Sequence, residues 1–451
     1  MSVLGHCRFR IAVILLTLPV AAKFASAQDC FTAGTPPWVT CDGCAPMVSE
    51  PSGCTGCCDD FWTRSSLTGG LLGVQPALAG HGIAYNAMAT QFYQGVAHGG
   101  QQEIFRYGGK VDQFINVDGE KAGLWKGFFV SLHAESRFGE DSNFDAAALA
   151  PVNANMLYPA PNKHVTSITG LTLTQALSEE WLVSVGQFNL LDMFNQIYPQ
   201  TGRGIDGFMN ISSFTPLSVA RGLNLSILGA GITKLHEGQV QGSLSVLDTH
   251  NVTTTSGLKN VYDSGVVVLG YWRLFTKLFG RPGSHALMGL YSNSEYTSVD
   301  PLNWAFLPGV GLVAGTETGT WNLEYYLEQK LWVDPADPKR NVGIFSGWGI
   351  SDGNPNPIDW SGFVSLQGQG FSDSRPLDSL GVSFFYTSLS SDFRRLASVL
   401  VDVEDVYGGE LYYNAALTPW FHLTADVQMV NPAEVGNDTA IVVGLRGKID
   451  L

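Results

Sequence analysis

Past residue 58 the chain has no cysteine, and past residue 27 it has no apolar run near the roughly 20 residues that a membrane-crossing helix needs. The first absence confines any disulfide framework or thiolate metal site to the N-terminal end. The second excludes helical membrane spanning by the mature chain. Charge is also scarce: Asp, Glu, Lys and Arg make up 14% of the residues, against about 25% in ordinary soluble domains. A soluble protein of this size needs more charge on its surface, whereas one facing lipid over much of its outside does not. Positive charge is scarcest. With 25 Lys and Arg against 40 Asp and Glu, the formal net charge is -15. That balance excludes a nucleic-acid partner, which calls for Lys/Arg-rich surfaces, and an anion pore built on basic rings. Glycine (52 residues) and aromatics (11%) are plentiful.

Residues 1–27 read as an export signal. Arg8 and Arg10 form a positive start, IAVILLTLPVAA (11–22) an apolar stretch too short to span a bilayer, and Ala25-Ser26-Ala27 a cleavage site before Gln28. Cleavage removes Arg8, Arg10 and Lys23 and no acid, which takes the net charge to -18. Cys7 leaves with the signal. The six that remain, Cys30, Cys41, Cys44, Cys54, Cys57 and Cys58, crowd into a Gly- and Pro-rich head over 28–60. An even number in an exported protein points to disulfides. CDGC (41–44) and CTGC (54–57) leave tetrahedral zinc as the competing reading, and six cysteines allow 15 pairings that sequence does not distinguish.

Residues 61–451 form one long β region whose recurring feature is period two. In WFHLTADVQMV (420–430), Phe421, Leu423, Ala425, Val427 and Met429 alternate with His422, Thr424, Asp426 and Gln428. In WNLEYYLEQKLWV (321–333), Trp321, Leu323 and Tyr325 oppose Asn322, Glu324, Tyr326, Glu328 and Lys330. In GFFVSLHAESRF (127–138), Phe128, Val130 and Leu132 oppose Ser131, His133, Glu135 and Arg137, and the last strand alternates Ile441, Val443, Leu445 and Ile449 with Arg446 and Lys448. Such alternation fits a soluble sandwich with its apolar face inward, or a membrane barrel with that face on lipid and the polar face on a hydrated lumen. Stretches of about 10 to 13 residues favour tilted membrane strands.

Loop lengths discriminate further. About sixteen strands are predicted, starting near residues 83, 107, 125, 168, 181, 222, 239, 265, 285, 319, 342, 360, 379, 409, 420 and 439. Tight connections at 119–123, 178–180, 334–340 and 418–419 alternate with long ones near 139–167, 190–221, 248–264, 292–318 and 388–408. Outer-membrane barrels sort their loops in this way, with short periplasmic turns and long extracellular loops. With helices excluded, a closed barrel satisfies every backbone group in lipid. The predicted fold is therefore all-β, a transmembrane antiparallel up-and-down barrel in the bacterial outer membrane.

Catalytic patterns do not hold up. GISDG (349–353) matches G-x-S-x-G, but a nucleophile elbow needs a strand–turn–helix frame, and Pro355 and Pro357 follow. GVGLVA (309–314) lacks the βαβ unit of a dinucleotide site. No catalytic residue, resident metal or cofactor is predicted.

Several segments together resemble the carbohydrate-selective porin (OprB) family. They are TQFYQGVAHGG (90–100), YGGKVD (107–112), GLWKGFFVSLHAESRFGE (123–140), VGQFNLLDMFN (185–195), LWVDPADP (331–338), SDGNPNPIDW (351–360), ALTPWFHLTADVQMVNP (416–432) and VVGLRGKID (442–450). The family's early L-T-G-D-W-G-G stretch is represented only by LTGGLLG (67–73), and the cysteine-rich head is not part of the shared pattern. The resemblance implies a sixteen-stranded barrel that passes monosaccharides and related small sugars without energy input. General diffusion, or a barrel whose head docks to an envelope component, is the alternative. The partners implied are carbohydrate solutes and outer-membrane lipid, with a homotrimer left open.

A sugar pore needs hydroxyl partners and weak binding. The predicted lumen faces offer Lys110, Asp112, His133, Glu135, Arg137, Glu324, Tyr326, Glu328 and Lys330 for this purpose. If the long loop after residue 189 folds inward, Asn189, Asp192 and Asn195 face the solute. If it runs over the surface, they do not.

Overall fold

A computed structural model describes residues 60–451; the predicted signal, Cys30, Cys41, Cys44, Cys54, Cys57 and Cys58 lie outside them. Ile83–His98 (β1) leads through a short loop to Phe105–Asp118 (β2), then Phe128–Gly139 (β3). Val165–Ala176 (β4), Trp181–Asn189 (β5), Ser226–His236 (β6), Gln239–Leu247 (β7), Val267–Leu278 (β8) and Arg281–Thr297 (β9) follow. Ala305–Leu307 (β10) and Gly311–Val313 (β11) pair only with each other, in a small hairpin apart from the wall. The wall resumes with Thr316–Val333 (β12), Asn341–Ser351 (β13), Ile358–Gln369 (β14) and Ser379–Leu389 (β15). Val406–Thr418 (β16), Phe421–Val430 (β17) and Ala440–Asp450 (β18) complete it.

Sixteen of these strands form one closed antiparallel barrel, in which β18 returns to pair with β1 from Met88↔Asp450 to His98↔Ile441. Closure removes every sheet edge, so each backbone N–H and C=O in the wall has a neighbour to bond. No helix among the described residues is long and apolar enough to cross a membrane.

Which face points inward separates the two readings of the alternation. On β12, Trp321, Leu323 and Tyr325 are 44%, 45% and 37% exposed, while Asn322, Glu324 and Tyr326 are 4%, 0% and 1% exposed. On β17, Val427 and Met429 lie outside and Thr424, Asp426 and Gln428 inside. On β18, Leu445 lies outside and Arg446 and Lys448 inside. Polar residues inside and apolar residues outside is the reverse of a soluble sandwich, and it is what a lipid-facing barrel requires.

The two-residue connections, 237–238, 279–280 and 419–420, lie at one end. Two of them, Glu237–Gly238 and Phe279–Gly280, are two-residue turns with positive φ at both positions, the geometry that matches the twist of a hairpin. The two ends of the described residues lie at that side: the Leu67 amide donates to the Asp450 carbonyl at 2.7 Å, and the Trp420 indole to the Phe61 carbonyl at 2.8 Å. The helix Val74–Gly80 (α1) precedes β1 there.

The largest connection, 190–225, turns into the barrel. It begins as the helix Leu190–Ile197 (α2), for which Asn189 is the N-cap: its side-chain oxygen accepts from the Asp192 amide at 3.3 Å. The helix stops at Tyr198, just before Pro199, where a proline disfavours helical backbone in the preceding residue. Beyond it, Tyr198, Phe208 and Phe214 are buried against the inner wall. The connection 140–164 folds in beside it and meets it where the Ala154 amide donates to the Met209 carbonyl at 2.8 Å.

Candidate functional site

The site is the lumen at the level where 190–225 crosses it, and the loop is tied to the wall around much of the circumference. On one side, the Arg273 guanidinium of β8 donates to the Ile197 carbonyl at 3.0 Å, and the Tyr271 hydroxyl donates to that of Tyr198 at 3.1 Å. Tyr198 packs on Phe345 and Tyr326, with ring centroids 4.8 and 5.3 Å away, and Phe194 lies 5.6 Å from Tyr326. On β14 the Ser361 hydroxyl accepts from the Ser218 amide at 2.9 Å. Gly349 on β13 makes that approach possible: a Cβ there would lie 2.2 Å from the Ser218 hydroxyl oxygen.

The opposite wall grips the tip of the loop. Glu410 of β16 accepts from the amides of Met209 and Asn210 and from the Ser213 hydroxyl. Gln428 of β17 accepts from the Asn210 side chain at 3.1 Å. Arg446 donates to the carbonyls of Gly204 and Gly207 at 3.2 and 2.9 Å, and Lys448 reaches both Asp206 oxygens at 2.9 and 3.1 Å. Buried carboxylate and guanidinium groups thus satisfy main-chain groups that the irregular loop cannot pair with itself. Burial alone would push the Asp206 carboxyl up, but the Lys448 ammonium and nearby His422 hold it below its ordinary value.

The predicted residues fall into three sets. Lys110, Asp112, His133 and Glu135 form one buried cluster on β2 and β3, with Lys110 bound to Glu135 and 3.2 Å from Asp112. Asp112, His133 and Glu135 are spaced as three metal ligands could be. The Lys110 ammonium, however, already supplies the cation between the two carboxylates. Asn189, the last residue of β5, and Asp192 on α2 join this cluster. The Asn189 amide donates to Glu135 at 3.4 Å and to the Thr169 hydroxyl at 3.1 Å, and Asp192 lies 2.7 Å from His133 Nδ1. Burial would push the Asp192 carboxyl up, but the imidazole and Arg203 hold it down.

Arg137 stands apart. All three guanidinium nitrogens donate, to Asp141 and to the carbonyls of Met156, Gly139 and Lys163, so it fastens 140–164 to the wall. Glu324 and Tyr326 are also fully covered, the phenol donating to the carboxylate at 2.5 Å beneath the loop. Glu328 and Lys330 lie in the third, more open set. Arg273 meets Glu328 at 2.7 Å, and Lys330 meets it at 3.5 Å. Asn195 is half-buried on α2.

Sequence reasoning missed Arg203 and Asp206 in the loop, together with Phe114, Glu410, Arg446 and Lys448 on the wall. The alternation placed the last two on an inner face, which was the available signal. Arg203 lies in TGRGIDG, where no period operates. Its guanidinium sits 4.4 Å over the Phe114 ring and 3.7 Å from Asp192. Elsewhere, Ser351 of the G-x-S-x-G match ends β13, and its hydroxyl donates to the Ile358 carbonyl at 2.6 Å, in a strand–loop–strand setting. The SDGNPNP loop is a tie, in which Asn356 donates to the Ser218 carbonyl at 2.7 Å.

The arrangement offers hydroxyl-binding acceptors and donors and aromatic faces along a partly filled, polar-walled conduit. High- and low-pH structures of Pseudomonas putida OprB are similar to it. The first is 18% identical with a TM-score of 0.74, covering 87% of this chain and 100% of that one. The second is 15% identical with a TM-score of 0.54, covering 86% and 99%. At these identities the likeness speaks for the fold. No curated protein matches the chain. The family model described as "Carbohydrate-selective porin, OprB family" matches residues 102–451, nearly all of the barrel. With that match added to a closed barrel, apolar outside and polar within, this chain belongs to the OprB family of carbohydrate-selective porins and resides in the bacterial outer membrane.

Proposed function

We propose that the protein lets mono- and small oligosaccharides diffuse passively across the outer membrane, and that it catalyses no reaction. One observation carries this reading: a lumen with charged and polar wall residues is crossed by a loop that those residues fasten to facing walls, the arrangement that narrows a pore. The solute-facing groups we assign are Arg203, Asp206, Glu328 and Lys330, with Phe114 holding Arg203 in place. The buried Lys110, Asp112, Glu135, Glu324 and Tyr326 support them from behind. Lipid is the surrounding partner, a homotrimer is a compatible assembly, and the cysteine-rich head is the segment suited to an envelope partner.

Liposome swelling with purified protein tests the proposal, using a sugar size series against amino acids and salts of similar size. Sugars should enter faster. Equal rates for all solutes would reduce the protein to a general porin. Removal of residues 28–60 should leave sugar entry unchanged.

A further inference from the structure

His133 is buried, its side chain 6% exposed, so it is covered from passing solute. Its two ring nitrogens nonetheless face two different carboxylates: Nδ1 lies 2.7 Å from Asp192 on α2, and Nε2 lies 2.9 Å from Asp112 on β2. A neutral imidazole has one N–H and would turn a lone pair toward one of these anions. Only the doubly protonated ring donates to both. The ring stacks on Phe114, with centroids 4.0 Å apart, Phe114 carries Arg203, and Arg203 reaches back to Asp192. The four side chains close a circuit. Arg203 completes it from the left-handed backbone region, at φ 55, which a residue with a side chain occupies when its surroundings hold it there.

Titratable groups face the ring from every element packed on it except one. β2 brings Lys110 and Asp112, β3 brings Glu135, and α2 brings Asp192. The loop beyond α2 brings Arg203, and 140–164 brings the Tyr158 phenol, whose ring lies 5.6 Å from the Lys110 ammonium. β4 presents only Gly170, where a Cβ would lie 3.5 Å from that of His133 and 3.8 Å from an Asp192 oxygen. Three carboxylates (Asp112, Glu135, Asp192) therefore face two permanent cations (Lys110, Arg203), and the set is neutral only with His133 protonated.

We infer that His133 is a positioning residue for solute selection: as an imidazolium it fixes Asp192, and through it Arg203, where the loop crosses the lumen. It also keeps that cluster neutral, so that uncharged polyhydroxylated solutes pass in preference to ions. The inference rests on the sugar-porin reading. Deprotonation leaves one net negative charge and releases the hold on α2.

The test uses the whole protein in planar bilayers and liposomes, at pH values from about 5 to about 11, which cover an imidazole's ordinary range and extend well beyond it. Reversal potential in a KCl gradient reads ion preference, and swelling reads entry of a neutral hexose. The wild type should show a one-proton step, with potassium preferred and hexose entry reduced on the deprotonated side. His133→Gln should lose the step and prefer potassium throughout. Asp192→Asn removes an acid, so at the acid end of the series it should shift the reversal potential toward chloride. Wild type and His133→Gln titrating alike, or both variants shifting in one direction, would overturn the inference. If His133→Gln fails to give a heat-modifiable barrel, the sign of the Asp192→Asn shift decides alone. A wild type without hexose preference would count against the porin reading, while the reversal potentials still decide the role of His133.

Discussion

On β12 the exposed Trp321, Leu323 and Tyr325 and the covered Asn322, Glu324 and Tyr326 take turns, so each position announces the next. In 190–225, Tyr198, Phe208 and Phe214 are buried as deeply as any wall residue, yet nothing periodic around them says so. The wall is held by ladder hydrogen bonds between strands mostly adjacent in sequence. The inner loop is held by side chains some 200 or more residues away: Glu410 on Met209 and Asn210, Arg446 on Gly204 and Gly207, Lys448 on Asp206. The wall's ladders are complete without the loop, whereas the loop beyond α2 takes its conformation from the wall and from 140–164.

The largest expected effect comes from separating the two. Replacing residues 199–213 by a short Gly-Ser link should leave a heat-modifiable barrel and raise single-channel conductance several-fold, with a higher size limit for sugars. Failure to form a barrel would make the loop part of the wall's own stability and erase the distinction. Next comes an insult to the wall alone. Leu323→Arg places a cation on the lipid face and should cost about 2–4 kcal/mol if it lies near the midplane, measured by denaturant unfolding in bilayers, with conductance unchanged. A conductance change of the size seen on loop removal would mean that the outer face and the lumen are coupled.

The smallest effect concerns the tether at Asp206. A carboxyl held below its ordinary value of 3.8 adds stability above that value and loses it as pH falls through its own lower one. The Lys448–Asp206 contact should therefore persist from neutral through mildly acidic solution, and protease cleavage within 199–213 should accelerate only below pH 3.8. Acceleration already near neutrality would show that the ion pair is not what holds the tip.

Reading the sequence worked where residues report on their neighbours. Strand starts at 83, 181, 239 and 379 were legible because Gly- and Pro-rich turns or breaks in alternation mark them. The start expected near 222 lies at Ser226 because Gly222 still caps the short helical turn Leu217–Arg221 of the loop. The start expected near 285 lies at Arg281: the Phe279–Gly280 turn is so tight that Pro282 and Gly283 already belong to the strand. At the site, His133 and Glu135 were visible from period two, and Asn189 and Asp192 from the length of the loop that could fold inward. Arg203 and Asp206 were not, because a glycine-flanked turn carries no pattern for where its side chains point.

The sequence by itself determined the barrel, its inside-out polarity and the sorting of short from long connections. These follow from pleat geometry and from the demand that every backbone group in lipid be paired, and both are expressed within a few residues of chain. Only the tertiary structure decided that the longest loop turns inward and which charged wall residues hold it. Those outcomes depend on satisfying an irregular backbone with groups from distant strands, and no local pattern encodes such a match.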